Sequence, residues 1–126
     1  MKLVLTFVLA LLLLVPANAE AQDKVADGKF WAANIFMVGS TVYDVESSYF
    51  VLDRCNCREA NTLMKSFIGS GRPTVYAAIA ATDVAMMVVI YKIKKRNDKL
   101  WWILPVVVTA VHSVAGTNNI RTAIRF

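Results

Sequence analysis

Four stretches of this chain are rich in apolar residues, and each carries a different polar pattern. The first, Leu3 to Val15, is broken only by Thr6; it follows Met1-Lys2 and ends at Pro16, before Ala17-Asn18-Ala19. A short positive start, an apolar run and a small-x-small site are the three parts of a secretory signal peptide. Residues 1–19 are therefore expected to be a signal peptide, with Ala19-Glu20-Ala21 offering a second cleavage site. The alternative is an uncleaved anchor, although the run is shorter than the usual span of about 20 residues. Residues 20–29 form a polar linker containing Gly28.

The remaining stretches predict helices over about 30–52, 73–92 and 100–117. In the first, Ser40, Thr41, Asp44, Ser47 and Ser48 recur at i, i+1, i+4, i+7 and i+8, which places them on one helical face. Phe36, Val38, Val42, Val45 and Tyr49 fall largely off that stripe. Glu46 lies elsewhere, near Gly39, Tyr43 and Phe50, and the pattern assigns it no partner. The second segment opens on Arg72-Pro73, a favourable first helical turn, and is rich in alanines that permit close helix approach. Tyr76, Ala80, Asp83 and Met87 share a face. The third begins with Trp101-Trp102, a candidate interfacial belt to which Tyr91 also contributes. Pro105 either kinks this helix or falls in its first turns. Thr109, His112, Gly116 and Asn119 share a face at i, i+3, i+7 and i+10.

Composition points the same way. The chain is 57 % hydrophobic and 18 % charged, against about 45–50 % and about 25 % in soluble domains. The expected fold is an all-α membrane protein: a small bundle of three hydrophobic helices, spanning 30–126, after the signal-like segment. Its expected place is the lipid bilayer, as an integral protein of a bacterial inner (cytoplasmic) membrane. The net charge of +5 suits anionic lipid rather than nucleic acid, because the basic residues flank hydrophobic runs. Lys92, Lys94, Lys95, Arg96 and Lys99 crowd one short turn and are expected to meet anionic headgroups. A solvated loop that keeps the helix from sliding into lipid is the plainer reading.

Orientation stays open. With a cleaved signal peptide and three spans, this basic turn faces outward, against the positive-inside rule. If residues 30–52 lie in the interface instead, the turn returns inward but Arg54, Arg58, Lys65 and Arg72 face outward.

The segment after the first helix, Asp53 to Met64, is densely polar. Asp44-Val45-Glu46-Ser47-Ser48 followed by Glu59-Ala60-Asn61-Thr62 resembles a family of uncharacterised small bacterial membrane proteins. In that family a helix bearing Asp-x-x-x-Thr precedes a Glu-x-Asn-Pro segment and further hydrophobic helices. Here Ser48 stands for the threonine and Thr62 for the proline. The helix with His112, Gly116 and Asn119 is similar to the last helix of some members, so the resemblance covers roughly residues 39–121. It implies a shape but no known reaction. Physically, Glu59 and Asn61 are suited to cap a short helix through Met64 and Phe67, or to close a polar lid over the bundle end. Cys55-x-Cys57 offers narrow geometry for a bridge within the pair and too few ligands for a metal. Free thiols or a bridge between chains are expected.

Asp44, Asp83 and His112 are ionisable residues inside hydrophobic segments, where an aspartate costs about 2.5–3.5 kcal/mol on insertion scales. Such residues face a bundle interior and pair. They serve either as hydrogen-bonding glue or as a proton-exchanging set. Ser113 adjoins His112 in sequence and so points about 100° away on a helix; no HExxH, GxSxG or phosphate loop is present. No metal or other cofactor is implied. The expected function is a non-enzymatic interaction or accessory subunit, homo-oligomeric or part of a larger membrane complex. The alternative is a proton- or ion-coupled transport element using the intramembrane Asp and His.

Overall fold

A computed structural model describes residues 25–55, 65 and 68–125. The signal-like segment, Glu59 and Asn61 lie outside the described residues. Among the described residues there are three helices and no strand: α1 (Gly28–Cys55), α2 (Arg72–Arg96) and α3 (Ile103–Ile124). Each exceeds its predicted range at its C-terminal end. At about 1.5 Å per residue, their 28, 25 and 22 residues extend about 42, 37 and 33 Å. A bilayer's hydrocarbon core is about 30 Å thick.

Local chemistry sets the helix ends. Asp27 caps α1, its Oδ1 accepting from the Phe30 N–H at 2.9 Å and satisfying one of the donors a helix start leaves open. Gly71, at φ 91°, turns the chain into α2 through backbone space that side chains disfavour. Pro73 follows in the first turn, where its missing N–H costs no helical bond. Lys94, Lys95 and Arg96 end α2 against the negative end of its dipole. Pro105 falls in the first turn of α3, which resolves the two readings of that residue in favour of the helix start.

The helices run up, down and up. Phe30 at the start of α1 packs on Trp101 just before α3, and Ser47 and Ser48 near its end meet Asn119 near the end of α3. α1 packs closely along α3, touches α2 more sparingly, and leaves α2 and α3 scarcely in contact. Gly116 permits the close approach: a Cβ there would lie 2.5 Å from Tyr43 Cε1 and 3.2 Å from Ser47 Oγ.

Two apolar clusters flank the middle of the bundle. Phe30, Met37, Val38, Ile90 and Trp101 form one, toward the α2–α3 turn. Val45, Tyr49 and Val75 form the other, toward the opposite end. Outside, large apolar side chains are uncovered on all three helices, among them Phe36, Val84, Val88, Val107, Val111 and Val114. α2 and α3 are long and apolar enough to cross a membrane. α1 does not meet that test. Its polar residues instead turn inward, with Asn34, Ser40, Thr41 and Ser47 all buried.

Candidate functional site

Between the two apolar clusters lies a polar layer. Asp44 of α1 and His112 of α3 form its centre, with His112 Nδ1 2.8 Å from Asp44 Oδ2. An ionised carboxylate accepts only, so with Asp44 ionised Nδ1 is the donor of this pair. The amide of Asn119 closes the same carboxylate from two turns further along α3. Its Nδ2 donates to Ser48 Oγ at 2.9 Å and Ser47 Oγ at 3.2 Å, and stands 3.4 Å from Asp44 Oδ1. Both serine hydroxyls donate back to the Asp44 carbonyl, at 2.7 and 2.9 Å. The hydroxyls are thereby oriented with their lone pairs toward Asn119.

The third ionisable residue, Asp83 of α2, is buried. Its contact is with Thr41, whose Oγ1 stands 3.5 Å from Asp83 Oδ1 and 3.0 Å from the Met37 carbonyl. A hydroxyl has one proton, and the shorter bond claims it. Asp83 is therefore weakly partnered, in contrast to Asp44. All four predicted intramembrane residues, Asp44, Asp83, His112 and Asn119, line one cavity of about 630 Å³ between the three helices. Val45, Val75, Ile79, Met86 and Val108 supply most of its apolar wall.

The layer sits near mid-height. His112 is nine residues into α3 and twelve from its end, or about 14 and 18 Å along the axis. Two side-chain clasps hold α2 to the rest of the bundle on either side of it. At one end Tyr76 hydrogen-bonds Glu46, and Arg72 reaches Glu46 at 3.5 Å and Asp53 at 3.8 Å while covering the Tyr49 ring. At the other, Lys94 pairs with Asp27 and lies 4.5 Å from the Trp101 ring centre. The Lys94 ammonium holds the Asp27 carboxyl below its ordinary value of 3.8, assisted by the Phe30 N–H.

These clasps were not anticipated. Glu46 acquires two partners, Arg72 and Tyr76, whose i, i+4 spacing on one face of α2 is a signal that could have found them. Lys94 departs from its expected place among headgroup-facing lysines. Its side chain is 2 % exposed, because an aromatic wall and the Asp27 carboxylate together replace water around the ammonium. Lys92, Lys95, Arg96 and Lys99 are exposed. Trp101 is likewise buried, against Phe30 and Lys94, whereas Trp102 is half-exposed. Cys55 is disulfide-bonded, which corrects the expectation of free thiols. Cys57, the chain's other cysteine, lies outside the described residues. Among the described residues, no three His, Cys, Asp or Glu side chains are grouped to hold a metal ion.

Residues 35–125 match a protein family described as a domain of unknown function, DUF5658. The span read from the motifs, 39–121, lies within that match. No curated protein and no solved structure matches the chain.

Proposed function

The chain belongs to this family of unknown function, DUF5658, and from that premise we propose that it is a small integral membrane protein acting as a non-enzymatic interaction or accessory subunit, in the cytoplasmic membrane of a bacterium. One observation carries the reading: apolar side chains are uncovered on all three helices while the polar ones turn inward. In water such a surface would associate; in lipid it is the solvated face, and it leaves helix surfaces available to a neighbouring membrane protein. Within this reading Asp44, His112 and Asn119 act as the lock between α1 and α3. A polar cluster with its hydrogen bonds satisfied fixes a unique packing, since any other register strands its groups in a low dielectric. The exposed Lys92, Lys95, Arg96 and Lys99 supply the contact with anionic headgroups.

The test is crosslinking in native membranes through a photoreactive residue at Val88 or Val107, both uncovered. A discrete crosslinked complex, with a second copy or another membrane protein, is the expected result. Recovery of monomer alone overturns the reading.

A second reading, a proton- or ion-coupled element, is favoured by the cavity that Asp44, Asp83 and His112 line together. Ionisable residues at mid-membrane are commonly part of proton or ion paths. Three helices enclose little by themselves, so this reading requires an oligomer. Proteoliposomes in which flux does not depend on Asp83 or His112 would count against it.

A further inference from the structure

We propose that the mid-bundle cavity is a binding site for a small lipophilic amine, with its ammonium group on Asp83 and its hydrocarbon body against the apolar wall. The inference does not depend on the accessory-subunit reading. A volume of about 630 Å³ falls in the range of small-molecule sites, which are mostly apolar with a few placed polar groups. The wall here has that character, with Val75, Ile79 and Val108 facing a short set of polar side chains.

Charge selects the class of ligand. Two carboxyl groups, Asp44 and Asp83, face the cavity against one imidazole, and with both ionised the excess is negative. The carboxylates are not equivalent. Asp44 is occupied by His112 and Asn119. Asp83 is 7 % exposed, its Oδ2 accepts no hydrogen bond among the described residues, and its Oδ1 has only the distant Thr41 hydroxyl, whose proton is committed to Met37. An ionised carboxylate offers about four acceptor sites, and leaving them unfilled in a buried position is costly. An ammonium group fills them with charge-assisted bonds. α2 and α3 make few close backbone approaches, so the proposed route in is lateral, between these two helices. A ligand that dissolves in lipid and carries one positive group fits both the route and the site.

The experiment is isothermal titration calorimetry of the full chain in nonionic detergent micelles, with hexylammonium as probe and 1-hexanol as its uncharged control. Saturable hexylammonium binding is expected, with hexanol weaker by about tenfold or more, the value of one charge-assisted hydrogen bond. D83N removes the charge and A78F fills the space, since Ala78 lines the cavity and leaves the carboxylate in place. Each is expected to weaken hexylammonium binding about tenfold or more, while D53N at the bundle end leaves it unchanged. Circular dichroism confirms helix in each variant. Retained affinity in whichever of D83N and A78F folds overturns the proposal. If neither folds, the wild-type comparison decides alone: equal affinity for hexanol and hexylammonium means that Asp83 holds a proton and not an amine.

Discussion

Gly116 of α3 lies against the Tyr43 ring of α1 with no room for a methyl group, its notional Cβ falling 2.5 Å from Cε1 and 2.6 Å from Cδ1. The Ser47 hydroxyl, a member of the polar layer, stands 3.2 Å from the same point. Helix approach and polar site are thus coupled through one residue. Gly116→Ala should destabilise the bundle by about 1–3 kcal/mol, the usual range for overpacking. Gly39→Ala, where nothing lies within 4 Å, should be neutral or stabilising by up to about 1 kcal/mol from helix propensity. Thermal unfolding in detergent checks both, and equal melting temperatures for the two variants would remove the packing argument.

The Asp44–His112 pair should behave as a unit. Either partner alone, replaced by leucine, leaves the other group poorly satisfied and should cost about 1–3 kcal/mol. The double variant should lose less than the sum, by about 0.5–3 kcal/mol. Thr82→Ala is the comparison within the same cavity, because Thr82 bonds only its own helix, at the Ala78 carbonyl. Its effect should be smaller than that of Asp83→Ala or His112→Ala.

Acid should loosen the clasp between Asp27 and Lys94. The carboxyl is held below 3.8 by the ammonium. A carboxyl held low in the folded state adds stability above its unfolded value and loses it as pH falls through the folded one. The stability difference between wild type and Asp27→Asn should therefore be constant from neutral pH down to about pH 4 and shrink below it. Asp27 is 42 % exposed, so added salt should reduce the difference at every pH. A difference that grew on acidification would contradict the assignment.

Lysine at position 111 should impair membrane insertion. Val111 is 60 % exposed near the middle of α3, and a lysine on that face costs about 2.5–3.5 kcal/mol on insertion scales. Lys95→Ala, at the exposed end of α2, should insert normally. A glycosylation-based insertion assay distinguishes them.

Much of the site was legible because helical periodicity is rigid. Asp44, Ser47 and Ser48 share a stripe, and His112 and Asn119 lie two turns apart on one face, so any helix pair that meets along these faces brings the set together. Asp83 was legible for a different reason: a charge in a hydrophobic segment has to face inward. What periodicity could not supply was pairing across helices. The partners of Glu46 and Lys94 depend on the direction and rotation of α2, which a single helix's pattern leaves free. Lys94 shows the consequence most clearly. Its place in a run of lysines reads as solvent or headgroup, yet Trp101 and Asp27, distant in sequence, enclose it.

The sequence by itself determined three helices, their inward polar faces and the residues of the mid-bundle layer, because these follow from a 3.6-residue repeat and the separation of polar from apolar positions it imposes. Only the tertiary structure decided that α1 lies closely on α3 while α2 stands off, held by clasps at both ends. That difference rests on a contact no linear pattern encodes, the space Gly116 leaves for Tyr43. The same difference leaves Asp44 partnered by His112 and Asn119 and Asp83 facing the cavity with only the distant Thr41 hydroxyl.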